Sequence, residues 1–133
     1  MTLIAAFLRI VRSEPKSPRT RLPNRRNSVL MPVTFQGVYG DRKYEVGFSP
    51  DDDGIIREVF CEAAKSGEEM QAMIHDACIS ISRALQFGDR ISDIASSLGD
   101  LRPEDGSPGI PASPFGAIAR ASAKLELEFT GAA

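Results

Sequence analysis

The 133 residues contain no tryptophan, two tyrosines, one histidine and two cysteines. Without tryptophan, a core has to be assembled from aliphatic side chains, alanine and the seven phenylalanines. The single histidine, His75, rules out the histidine clusters of most zinc sites. Cys61 and Cys78 are far apart in sequence and stand in no CxxC pattern, so no metal centre is expected. Both read as buried thiols of a reducing cytosol, with a redox role for the pair as a third reading of the chain. The first apolar run, Met1 to Val11, is too short to span a bilayer, and its basic residues follow it rather than precede it. Neither a membrane span nor a secretory signal is expected, and the expected location is cytoplasmic. No phosphate loop, dinucleotide fingerprint, nucleophile elbow or HExxH motif occurs. No catalytic, cofactor-binding or metal residue can be assigned.

What is present is the composition of a globular protein, 42% hydrophobic and 26% charged. The net charge of −2 conceals an asymmetry, because residues 1–30 hold seven Lys or Arg against Glu14 alone. Residues 13–32 also carry Pro15, Pro18, Pro23 and Pro32 among polar residues, which reads as an extended linker. The expected division is a basic, flexible leader over 1–31 and one domain over 32–133. A basic segment on an acidic body suits an anionic partner. Arg25, Arg26 and Arg102 are the candidate phosphate or partner contacts.

Ser66 to Gly88 is the longest helix the pattern specifies. Met70, Met73, Ile74, Ala77, Cys78, Ile81, Ala84 and Leu85 recur at helical spacing and predict one apolar stripe. Ser66 with Glu69 forms a capping box, and Gly88 suits a left-handed C-cap. His75 lies at the edge of the stripe. Upstream, Val33–Tyr39, Lys43–Phe48 and Ile55–Ala63 predict strands. Tyr44, Val46 and Phe48 share one face of the second. In the third, Ile56, Glu58 and Phe60 are expected on one face, with Arg57, Val59 and Cys61 on the other. Ser49 to Gly54 reads as a hairpin tip. Its three aspartates lack the alternating ligands and closing glutamate of a calcium loop. Downstream, Ile91–Leu98 predicts a short helix, 100–112 an irregular segment, and Ser113-Pro114 the start of a last helix. The inward face of that helix is expected to carry Phe115, Ile118, Ala119, Ser122 and Leu125, with a tail from Phe129. The fold class is therefore α+β: a small antiparallel sheet packed against one long helix, with a short helix and a C-terminal helix.

Six stretches in order carry a family resemblance. They are Leu22-Pro-Asn-Arg-Arg26, Ile56-Arg-Glu-Val-Phe60, Lys65-Ser-Gly67, Ile81-Ser-Arg-Ala-Leu-Gln-Phe-Gly88, Leu101-Arg-Pro-Glu-Asp-Gly106 and Gly109-Ile-Pro-Ala-Ser-Pro114. Together they resemble the TSCPD domain, found near the C-terminus of adenosylcobalamin-dependent (class II) ribonucleotide reductases and as short free-standing proteins. The Thr-Ser-Cys-Pro-Asp signature survives only as Ser113-Pro114, and neither the cysteine-rich tail nor the reductase barrel is present. The resemblance implies association with deoxyribonucleotide synthesis as a non-catalytic accessory or interaction module. The cofactor of the related enzymes, adenosylcobalamin, would not be bound by this chain alone, and the implied partner is the large reductase chain. A homodimer through an exposed sheet edge is a further expectation. The alternative function is a nucleic-acid or nucleotide binding protein that uses the basic leader.

Overall fold

The computed structural model describes residues 18–23, 27–37, 40–61 and 69–131. Strands β1 (Val29–Gly37), β2 (Gly40–Pro50) and β3 (Ile56–Cys61) form an antiparallel sheet in the order β1-β2-β3. Helices α1 (Glu69–Gln86), α2 (Ile91–Ser97) and α3 (Pro114–Thr130) follow, with a two-residue ladder of β4 (Asp100–Leu101) and β5 (Ile110–Pro111) before α3. The expected α+β class holds. Helix α1 packs on β3, while α3 packs on β1 and α2.

The alternation in β2 sends Tyr44, Val46 and Phe48 into the core, opposite Val33 on β1 and Val59 and Cys61 on β3. Ile74, Cys78, Ile81 and Leu85 of α1 meet them, as do Ile91 of α2 and Ile118 of α3. Fully burying side chains such as Phe48, Ile56, Leu85 and Ile118 contributes roughly 1.5–3 kcal/mol each. On the opposite face of the sheet, the Phe60 ring lies across its cross-strand neighbour Gly47. A Cβ at Gly47 would sit 2.0 Å from that ring, so the ring takes the space a side chain would fill.

Several expectations need correction. The faces of β3 are not the simple alternation: Ser49 pairs with Glu58 and Pro50 with Ile56, so Arg57 is an extra residue. This bulge turns Ile56 to the same side as Val59, and both are buried. The stripe of α1 is narrower at its start, where Met70 is 43% and Met73 65% exposed. Sheet contact covers only one arc of the helix there. Strand β1 begins at Val29, ahead of Val33, and the segment 100–112 contains the β4–β5 ladder. Helix α3 continues through Phe129 and Thr130 before Gly131 ends it at φ 71°. On α3, Gly116, Ala117 and Glu126 are buried, while Phe115 and Leu125 are half-buried. The Ser66 cap, Lys65-Ser-Gly67 and residues 38–39 and 62–63 of the expected strands lie outside the described residues.

The predicted caps that can be seen are in place. Ser113 Oγ accepts from the Gly116 N–H at 3.0 Å. At the end of α1, Gly88 takes φ 114°, the Gly88 N–H donates to Leu85 O, and the Asp89 N–H reaches back to Ala84 O. That is the paired hydrogen-bond pattern of a glycine-terminated helix.

Candidate functional site

The β2–β3 turn, the end of α1, the start of α2 and the last turns of α3 converge at one end of the sheet, where polar side chains form a continuous seam. Asp51 organises the turn. Its Oδ1 accepts from the Asp53 and Ile55 N–H groups at 2.9 and 3.0 Å, and its Oδ2 accepts from Arg57 Nε at 3.1 Å. Burial alone would raise the Asp51 pKa. The Ile55 N–H, the Arg57 side chain and the Asp53 N–H outweigh it and hold the carboxyl below its ordinary value. Arg57 also donates from Nη1 to Leu85 O at 2.8 Å, placing a cation on the terminal carbonyls of α1.

Gln86, 6% exposed, is the junction of the seam. Its Nε2 donates to Arg57 O at 3.2 Å, and its Oε1 accepts from Arg19 Nε at 2.6 Å. Its carbonyl accepts from the Thr20 N–H at 2.8 Å. Residues 19 and 20, from the stretch read as a linker, are thus fastened to the end of α1. Nearby, Glu126 is 4% exposed on the inward face of α3. Its Oε2 accepts from the Ile56 N–H at 2.8 Å, and its Oε1 accepts from Arg90 Nη2 at 2.7 Å. The hydrogen bond to Glu126, followed by the charge of that carboxylate, raises the Arg90 pKa. These carboxylates serve as anchored acceptors; neither is placed as a general acid or base.

The cysteines are core residues. Burial, and secondarily the nearby Cys61, push the Cys78 thiol up to about 12. His75 Nδ1 lies 3.1 Å from Cys61 O, a contact to backbone that fits the boundary position expected for it. Among the described residues, no group of three His, Cys, Asp or Glu could hold a metal ion. No helix among them is long and apolar enough to cross a membrane.

Of the three predicted contact residues, Arg25 and Arg26 lie outside the described residues. Arg102 is exposed beside β4, on the segment that Arg120 ties to α3 through Asp100 and Gly109 O. It takes part in none of the seam's hydrogen bonds. Gln86, Glu126, Arg57 and Arg19 are not among the predicted contact residues. A signal for one of them was available: Glu126 falls at i+4 from Ser122 and i+8 from Ile118, a carboxylate on the buried stripe.

The model of the TSCPD domain matches residues 14–123. The chain belongs to the TSCPD domain family. Searches of curated proteins and of solved structures found no match. Within this TSCPD domain, the stretches Ile56–Phe60 and Ile81–Gly88 contribute Arg57 and Gln86 to the seam. Arg57 bonds the Leu85 carbonyl, Gln86 bonds the Arg57 carbonyl, and Ser82 exchanges two 2.9 Å hydrogen bonds with the Val59 backbone. Both stretches lie inside the matched residues, and together they join helix α1 to the sheet. A cavity of about 530 Å³ opens beside the seam, lined by Thr20, Arg21, Leu22, Pro23, Asn27 and the turn Pro50–Asp52.

Proposed function

We propose that this TSCPD domain is a non-catalytic accessory or interaction module of adenosylcobalamin-dependent ribonucleotide reduction, acting in the cytoplasm by docking to the large reductase chain. The observation that carries this reading is the family match over residues 14–123, which takes in most of the described chain. Ribonucleotide reduction needs a radical cysteine and a reducing thiol pair. Cys78, with its thiol raised to about 12, forms almost no thiolate near neutral pH, and both cysteines are buried among core side chains. The seam supports the same reading, since its carboxylates are committed to backbone N–H groups and arginines. Adenosylcobalamin and the nucleotide substrate would belong to the reductase chain.

Dimerisation through the free edge of β1 is a weaker use of the surface. Pro32 lies within that edge strand and withholds one backbone donor from any added strand. Co-elution of the purified chain with the host's large reductase chain tests the proposal. A stable complex, together with an altered turnover of the reductase, is expected. Separate elution with turnover unchanged would refute the docking role.

A further inference from the structure

Five arginines gather around the end of α1, and their partners divide them into two sets. Arg57 is paired with Asp51, and Arg90 with Glu126. Arg19, Arg21 and Arg83 have no carboxylate partner among the described residues. Arg83 stands one turn before Gln86 on α1, and Gln86 holds Arg19 by its Nε, so both guanidinium groups are carried on the same helix end. The Thr20 N–H bond to Gln86 O fixes the chain between Arg19 and Arg21, and Arg21 lines the neighbouring cavity of about 530 Å³. We propose that Arg19, Arg21 and Arg83 form an anion site for the phosphate groups of a small ligand.

The pedestal is built in advance. Gln86 is buried, is itself bonded to Arg57 O, and orients Arg19 through a hydrogen bond to Nε, leaving the terminal nitrogens of that guanidinium for a ligand. The other two charges act on Arg19: after burial, the charges of Arg21 and Arg83 lower its pKa. A phosphate anion removes that repulsion and accepts from several guanidinium groups together. Asp51 and Asp52 also line that cavity and disfavour a phosphate placed inside it. The anion therefore sits on the three arginines outside the cavity, which Arg21 alone of them lines, and the cavity is free for the uncharged part of a ligand. This site differs from the predicted Arg25, Arg26 and Arg102 set, and it stands whether or not the chain docks to a reductase.

Calorimetric titration of the full chain with inorganic pyrophosphate tests it, using Arg21→Gln, Arg83→Gln and, as a control for net charge, Lys43→Gln. All three positions are exposed, so the fold is expected to persist, and circular dichroism checks that it does. Saturable binding should weaken by about tenfold in each arginine variant and stay unchanged in Lys43→Gln. A nucleoside diphosphate run in parallel identifies the source of the phosphate. Tighter binding than pyrophosphate points to a nucleotide and equal binding to the free diphosphate, and either result upholds the site. No saturable binding, an equal loss in Lys43→Gln, or binding of a single-stranded oligonucleotide without pyrophosphate would each overturn it.

Discussion

The two halves of helix α1 are attached to the sheet in different ways. From Ile81 to Gly88 the attachment is directional. Ser82 bonds both backbone groups of Val59, Arg57 bonds the Leu85 carbonyl, Gln86 bonds Arg57 and Arg19, and Gly88 closes the helix. From Glu69 to Cys78 the attachment rests on Ile74 and Cys78 packed into the core and on His75 against Cys61 O. Met70 and Met73 are exposed on this half. On the core face of β2, Tyr44 lies beyond the Val46–Cys61 pair in the direction of this half, and its buried hydroxyl has no hydrogen-bond partner among the described residues. Apolar packing tolerates small displacements, whereas a fully bonded polar network fixes one geometry. At the polar end, the side-chain and backbone oxygens of Gln86 accept from Arg19 and Thr20, and these directional bonds fix where residues 19 and 20 lie.

Substitutions can break this contrast from either side. The largest effect is expected at Glu126. Glu126→Ala removes the acceptor of the Ile56 N–H and the partner of Arg90, and should cost about 3 kcal/mol in urea unfolding. The half-exposed Arg90 can recover water, which keeps the loss at the low end for a buried pair. Next comes Gln86→Ala, with a loss of about 2 kcal/mol and faster tryptic cleavage after Arg19 and Arg21 as the leader is released. Asp51 supplies the pH dependence. Its folded pKa is depressed, so its contribution is complete above the unfolded value of roughly 3.9 and is lost as pH falls through the lower folded value. Asp51→Asn should therefore lower stability at neutral pH and flatten the acid limb below about pH 4, measured by denaturation across pH. The smallest change, and one of opposite sign, is expected at the other end. Tyr44→Phe removes a buried hydroxyl that has no partner among the described residues and should leave stability unchanged or raise it by up to about 1 kcal/mol. A clear loss there would mean that the apolar end carries a polar contact of its own.

Much of the fold was legible because it depends on local pattern. Alternation placed Tyr44, Val46 and Phe48 on one face, and Ser113-Pro114 and Gly88 marked helix ends through backbone chemistry confined to a few residues. The seam was not legible, because each of its bonds spans distant parts of the chain. Gln86 reaches Arg19, and Glu126 reaches Ile56 and Arg90. The bulge at Arg57 was hidden for a similar reason: the extra residue exists only relative to its partner strand. Charge count drew attention to the basic leader, yet pairing decides which arginines remain available, and pairing is a property of the folded chain. Arg57 and Arg90 are committed, while Arg19, Arg21 and Arg83 have no carboxylate partner among the described residues.

The claim that this TSCPD domain contributes a surface and no thiol chemistry is tested most directly by replacing both cysteines. In a turnover assay of the large reductase chain, the Cys61→Ala/Cys78→Ala double variant should co-elute with that chain and change its turnover as the native chain does. Co-elution with the effect on turnover abolished would contradict the claim and assign the two thiols a part in the chemistry.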